Sequence, residues 1–331
     1  MLDTLQSIIS EAKSNKDYIY RGCAFEKYDL VPTLARKVRP EARFPEFNIY
    51  SDILQKAAER GFSQIGMDGT ATDLSQHYGL STSYLDWSHS VYVALYFAFT
   101  SYIKQFVDKN IFDPNLLHKG MNLCKLKDLR HKFNKHEYCI YRLNKTLYDE
   151  LRKQYPESPL IVHDTNHQNE RMKSQQGLLS SIDSTKVNDK ETIQISQIQI
   201  LADWFQSNNP DDSVKQSGKA YSWHGKTLLD KKTFELPQRD RNCLQKYLKE
   251  NGAVSTKLFP DFEGVKKNVE LSEDYSLLIG FQIAYHEGDL LSNAISAEDV
   301  SKLLNGDDKD FIKSRLKTDN LEGGEFSIFA D

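Results

Sequence analysis

Cysteine, glycine and proline are scarce in this chain, which has 4, 16 and 9 of them among 331 residues. The cysteines, at positions 23, 124, 139 and 243, form neither a CxxC metal pattern nor a dense disulfide framework, so the sequence points to a reducing cytoplasm. Little glycine and proline favours long regular elements over turns. No excess of positive charge is present either. With 43 Lys and Arg against 47 Asp and Glu, the net charge is -4, so no global basic field marks nucleic-acid binding, and only a local patch is left open. The longest apolar run, Val91 to Phe99, is about half of the ~18 residues that a membrane-spanning helix needs. The opening Met1-Leu2-Asp3 lacks the basic and apolar regions of a signal peptide. A soluble, cytoplasmic protein with no membrane partner is expected.

What the chain does have is enough apolar mass for a core: 39% hydrophobic residues, including 17 Tyr, 17 Phe and 3 Trp. The patterning predicts an α+β fold richer in helix than strand, built around a small mixed or antiparallel sheet. Leu2, Leu5, Ile9 and Ala12 recur at helical spacing, and the β-branched and aromatic Tyr18 to Gly22 reads as a strand. A helix is expected over about Glu46 to Arg60, stopped by Gly61, and a buried one over Val91 to Phe106, capped by Asp86 or Ser88. Glu137 to Leu143 reads as a second strand, and Asp240 to Lys249 as a helix halted at Asn251-Gly252. Lysine-rich residues 108–136 read as a surface insertion. Residues 206–220 read as a loop, and Ile295 to Val300 as a capped helix start. One main domain over residues 1–270 is expected, with a C-terminal appendage, residues 271–331, packed on it.

The segment Ser75-Gln76-His77-Tyr78-Gly79-Leu80-Ser81-Thr82-Ser83-Tyr84-Leu85-Asp86-Trp87-Ser88, followed by Ala94-Leu95-Tyr96-Phe97-Ala98, closely resembles the signature of the bacterial FRG domain family. An aromatic-Arg-Gly strand and a Pro-x-x-x-Arg turn precede that signature in the family. Here they appear as Tyr20-Arg21-Gly22 and Pro32 to Arg36. Asn169 to Leu178 resembles the family's N-x-R-x-x-x-QQG element, and Leu258 to Gly264 its LFPD-x-x-G close. The resemblance spans about Tyr18 to Val269. It departs where the family's Pro-Thr-Arg is Ser81-Thr82-Ser83, which removes a cation. The order of elements is also similar to that of ADP-ribosyltransferases. In those a basic or imidazole residue and a Tyr-Phe segment cradle nicotinamide, and a late Glu holds the ribose. Here Gln175-Gln176 stands at that place with Glu170 five residues before Gln175, so the expected Glu is displaced or absent.

The two resemblances imply a cytoplasmic bacterial effector, of toxin or phage-defence type, that binds a nucleotide such as NAD and transfers or hydrolyses ADP-ribose, with no metal. The acceptor, nucleic acid or protein, is left open. The catalytic residues implied are Arg21, His77, Glu170 and Gln175. The substrate-binding residues are Tyr78, Thr82, Asp86, Tyr96, Arg171 and Gln176. A guanidinium such as Arg21 suits a pyrophosphate because it offers paired donors, although a structural ion pair with Asp86 explains it equally well. His77 at a helix end could act as a base or as a structural hydrogen bonder, and Asp86 could orient Arg21 or cap a helix. Gln175 and Gln176 are expected to point to opposite faces of a strand. His163 and His167 have the i, i+4 spacing of metal ligands, yet HDTNHQNE is rich in turn formers and reads as a solvated loop. The rival reading is a catalytically silent sensor or partner-binding FRG domain. Metal-dependent nuclease action comes third.

Overall fold

The computed structural model describes residues 2–25, 29–38, 42–64, 80–110, 135–164, 170–187, 194–236, 238–261 and 263–271. Most of the lysine-rich insertion, all of the C-terminal appendage but Leu271, His77, Tyr78 and His167 lie outside them. The helix and strand content is that of an α+β protein. In chain order the elements are α1 (Leu2–Ser14), β1 (Tyr18–Cys23), α2 (Thr33–Lys37), α3 (Phe44–Gln64), β2 (Leu85–Ser88), α4 (Val91–Asn110) and β3 (Glu137–Asn144). They continue with α5 (Lys145–Gln154), β4 (Leu160–Asp164), α6 (Glu170–Ser174), β5 (Gly177–Ile182), α7 (Gln197–Asn208), β6 (Lys215–Ser217), β7 (Ala220–Trp223), β8 (Lys226–Glu235), α8 (Gln238–Glu250) and α9 (Ser255–Leu258). None of the described helices is long and apolar enough to cross a membrane.

The chain divides into two compact units, discontinuous in sequence: Met1–Leu95 with Cys139–Phe234, and Tyr96–Tyr138 with Glu235–Asp331. The first holds the sheet, whose eight described strands run in the order β4-β5-β2-β1-β3-β8-β7-β6. The central strands β1 and β3 pair antiparallel along the whole of β1, from Tyr18 opposite Asn144 to Cys23 opposite Cys139. Period-2 alternation therefore puts Ile19, Cys23, Cys139, Tyr141 and Leu143 on one face, where they pack with Trp87, Leu178, and Leu201 and Phe205 of α7 in one buried cluster. The loop expected over 206–220 is more regular than its composition suggests. A 3-10 turn at Pro210–Asp212 and strand β6 lead into a hairpin whose tip uses Gly218 at φ 59°.

A buried polar knot stands on the opposite side of β3. Arg142, neighbouring Tyr141 and so on the other face, is 7% exposed and grips Asp230 with two bonds, Nε to Oδ1 at 2.7 Å and Nη2 to Oδ2 at 2.5 Å. Its Nη1 also bonds Glu11 of α1. The guanidinium stands 5.3 Å from the ring centroid of Tyr18, so an amphipathic helix and two strands are joined through one side chain.

The second unit is held by aromatic packing. His136 stacks on Tyr102 at 3.5 Å, Tyr138 meets Tyr102 edge-on, and Phe97 meets Phe259 edge-on. Helix α8 ends as its sequence predicts. Gly252, at φ 71°, donates to the Lys249 carbonyl, and Ala253 donates to that of Leu248, which together form a Schellman cap. Gly252→Ala should lower stability by about 1 kcal/mol, measurable as a small drop in urea midpoint at unchanged slope. Gly264 is more constrained. A Cβ there would sit 2.0 Å from the Phe259 carbonyl oxygen, a backbone atom that cannot rotate away. That contact explains the glycine closing the LFPD-x-x-G stretch.

Candidate functional site

Strand β1 reads Tyr-Ile-Tyr-Arg-Gly-Cys, and its alternation sets Arg21 beside Ile19 and Cys23, opposite Tyr141 of β3. Arg21 Nη1 donates to the Asp86 carbonyl at 2.7 Å and lies 3.7 Å from Asp86 Oδ2. Asp86 itself is half exposed, so this is a rim interaction. At the end of the strand, three cations act on the Cys23 thiol: Arg21 from β1, Arg36 from α2 and Lys231 from β8. A hydrogen bond with Cys139 and these charges hold that thiol below the usual cysteine range, against the opposing effect of burial. Arg36 Nη2 donates to Thr33 Oγ1 at 2.9 Å, within its own short helix. Lys231 pairs with Asp29 at 3.4 Å and stands 5.3 Å from the Tyr141 ring centroid. The Tyr141 hydroxyl donates to the same Asp29 carboxylate at 3.1 Å, and burial pushes its phenol well above the usual range. Arg21 faces Tyr141 and Lys231 stands beside the same ring, and an arginine fork with a lysine on one face can hold an anion.

Thr82 borders this region. Its carbonyl accepts from Leu34 at the start of α2, and its Oγ1 accepts from the Tyr84 amide at 3.4 Å. Asp86 lies within β2 and does not cap α4 as sequence reasoning suggests. Ser90 sits at the cap, its Oγ accepting from the Val93 amide at 3.5 Å, because β2 runs on to Ser88 and His89 and Ser90 follow it before the helix begins. Trp87 is structural: its indole donates to Ser180 Oγ at 2.8 Å, which donates to Gln197 Oε1 at 2.6 Å inside the core. A cleft of about 60 Å³ lies between α2, α3 and the sheet, lined by Pro32, Phe44, Asn48, Ser83 and Gln197 among others. It has room for a few waters and none for a nucleotide.

Glu170, Arg171, Gln175 and Gln176 belong to a separate element. They sit on α6 and the turn after it, before β5, and β2 separates β5 from β1. Gln175 and Gln176 occupy that turn and not a strand, so the expected opposite-face geometry does not hold. Gln175 is 8% exposed and its carbonyl accepts from Ser88 Oγ at 2.6 Å. Gln176 takes a left-handed φ of 48°, and its carbonyl accepts from the His89 amide at 3.0 Å. Gly177 follows because a Cβ there would stand 2.9 Å from Met172 Cε. Since that methyl ends a flexible chain, Gly177→Ala should cost only about 1–2 kcal/mol, checked by chemical denaturation. Arg171 is buried at 5% exposure, and Glu170 is exposed at the first turn of α6.

The remaining residues fall elsewhere. Tyr96 lies in the second unit, 3% exposed, with its hydroxyl 2.7 Å from Ser255 Oγ and its phenol pushed up to about 12, mainly by burial. That places its ring in the core of that unit and not in a ligand cleft. His163 is on β4, not in a solvated loop, and its Nε2 is 2.8 Å from Ser181 Oγ. Among the described residues, no group of three or more His, Cys, Asp or Glu is arranged to hold a metal ion. Sequence reasoning passed over Cys23, Cys139, Tyr141 and Lys231, which the strand register brings to Arg21. Arg21 itself and the Arg36 of the Pro-x-x-x-Arg turn were the legible parts of this cluster.

Neither the curated proteins nor the solved structures give a match to this chain. A family model described as the FRG domain does match, over residues 16–106, a span that starts just before β1 and ends within α4. It therefore covers Arg21, Cys23, Arg36, Thr82 and Asp86, and the downstream α6 and Leu258–Gly264 elements stand beyond it. The chain contains an FRG domain.

Proposed function

We propose that the FRG domain binds a nucleotide such as NAD through the cations at the end of β1, and transfers or hydrolyses its ADP-ribose as a cytoplasmic bacterial effector of toxin or phage-defence type. One observation carries the reading: Arg21 faces Tyr141 across the β1–β3 ladder, and Lys231 of β8 stands 5.3 Å from the ring of that same Tyr141, so cations from different strands share one face. Their forks and ammonium suit the pyrophosphate. In the reaction the C1′–N bond breaks heterolytically, nicotinamide leaves with the bonding pair, and water or an acceptor nucleophile attacks the oxocarbenium carbon, losing its proton. Exposed Glu170 is the carboxylate assigned to steady that cation. No metal is called for. The test is nicotinamide release from NAD, with and without a nucleic-acid or protein acceptor. Release that falls at least tenfold in Arg36→Ala, with an unchanged fold, supports the reading, and no release under any condition removes the enzymatic part of it.

A second reading, a non-enzymatic sensor or partner-binding domain, draws on the burial of Arg171 and Gln175 and on the Ser88 bond that fixes the Gln175 turn. Under it these polar groups secure the fold. NAD that binds without turnover, or does not bind, favours it.

A further inference from the structure

Cys23 and Cys139 face each other directly in the β1–β3 ladder. Residues opposite one another in an antiparallel pair put their side chains on the same face, with Cα atoms about 4.5 or 5.5 Å apart depending on the hydrogen-bonding class. Both spacings fall inside the range of about 4.4–6.8 Å that a disulfide spans. Both cysteines belong to the same buried cluster. The Cys139 thiol reaches across to β1, 3.8 Å from the Cys23 carbonyl oxygen and 3.7 Å from that of Phe25. Neither cysteine is in a disulfide.

We propose that Cys23 and Cys139 are a reversible redox modification site that takes a small-molecule disulfide, such as oxidised glutathione, as its oxidant. Both cysteines are buried, and Cys23 is the less enclosed of the two, at 8% exposure where Cys139 has none, so the sequence starts there. Arg21, Arg36 and Lys231 favour the Cys23 thiolate, the attacking form, while Asp29 pairs with Lys231 and the Tyr141 ring lies on the same face as the two cysteines. The thiolate attacks one sulfur of the small disulfide, forming a mixed disulfide and expelling one small thiolate. Cys139 then gives up its proton and attacks the Cys23 sulfur, expelling the second. Two protein thiols become one disulfide, one small disulfide becomes two thiols, and the two protons end on them. The site stands independently of any nucleotide.

The full-length protein is incubated with oxidised glutathione, digested without reduction and mapped by mass spectrometry. Exposed Cys243 serves as the internal sign that oxidant is present. The expected result is a Cys23–Cys139 linked peptide that dithiothreitol reverses, in a protein that stays intact by circular dichroism. Cys139→Ser should stop the sequence at a Cys23–glutathione adduct. A wild-type protein modified at Cys243 while Cys23 and Cys139 stay reduced overturns the proposal. So does a persistent Cys23–glutathione adduct in the wild type, because then Cys139 does not resolve it. Both outcomes are read on the wild-type chain, so a poorly folding variant leaves the test intact.

Discussion

Arg142→Ala is expected to destabilise the protein by about 3 kcal/mol or more, the largest stability effect of any single change described. The arginine is nearly fully buried and its Asp230 partner is only 12% exposed, so truncation leaves a carboxylate desolvated without its bidentate donor. Lys232, 3.6 Å from Asp230, makes good only a part of the loss, because it is itself substantially exposed and held by one contact. At roughly 2–4 °C per kcal/mol for a domain of this size, the melting temperature should fall by about 10 °C. Replacing both partners with apolar residues, Arg142→Met with Asp230→Leu, should restore most of it, since no buried charge is stranded. A single change costing under about 1 kcal/mol would show that the knot is hydrated. Glu11 adds a small pH dependence. The Arg142 bond holds its carboxyl below the ordinary value of 4.5, so its share of stability is present above that value and is lost as the pH falls through the lowered one. Because Glu11 is half exposed, that share is modest.

Arg21→Ala is expected to act the other way round, with a small effect on folding and a large one on ligand. In the folded chain its polar partners are the Asp86 carbonyl and the half-exposed Asp86 carboxylate, so its removal should cost no more than about 2 kcal/mol of stability. A phosphate held by its fork would lose about 3 kcal/mol, or roughly 100-fold in affinity. Arg21→Lys should recover little, because an ammonium cannot reproduce the paired donors. Parallel denaturation and NAD-binding titrations separate the two effects. A large loss of stability with unchanged binding would make Arg21 a scaffold residue.

Much of the frame was legible because the decisive patterns are local. Tyr18-Ile19-Tyr20 and Tyr138 to Leu143 are rich in aromatic and apolar residues over a strand's length, and α4 is apolar almost all round at its start. Asn251-Gly252 stopped α8 because only a residue free to take positive φ closes a Schellman cap. Gly61 misled for the converse reason. It lies inside α3 with open space around it, where a glycine weakens a helix by about 1 kcal/mol without ending it. Asp86 was misplaced because β2 is only four residues long and borrows its register from neighbours. The cluster around Cys23 was invisible because its parts lie in β1, α2, β3 and β8, and only strand pairing sets Cys23 against Cys139. No local periodicity encodes a pairing 116 residues apart.

Arg21, Arg36 and Lys231 are the residues proposed to bind a phosphate-bearing nucleotide. Calorimetric titration of the full chain with NAD, repeated on Arg36→Ala, tests this most directly. Arg36 is surface-exposed on a short helix, so its loss should leave the fold intact. The account predicts saturable binding to the wild type, weakened at least tenfold in the variant and further weakened by added salt. Affinity unchanged by the substitution, or no binding to the wild type, would contradict it.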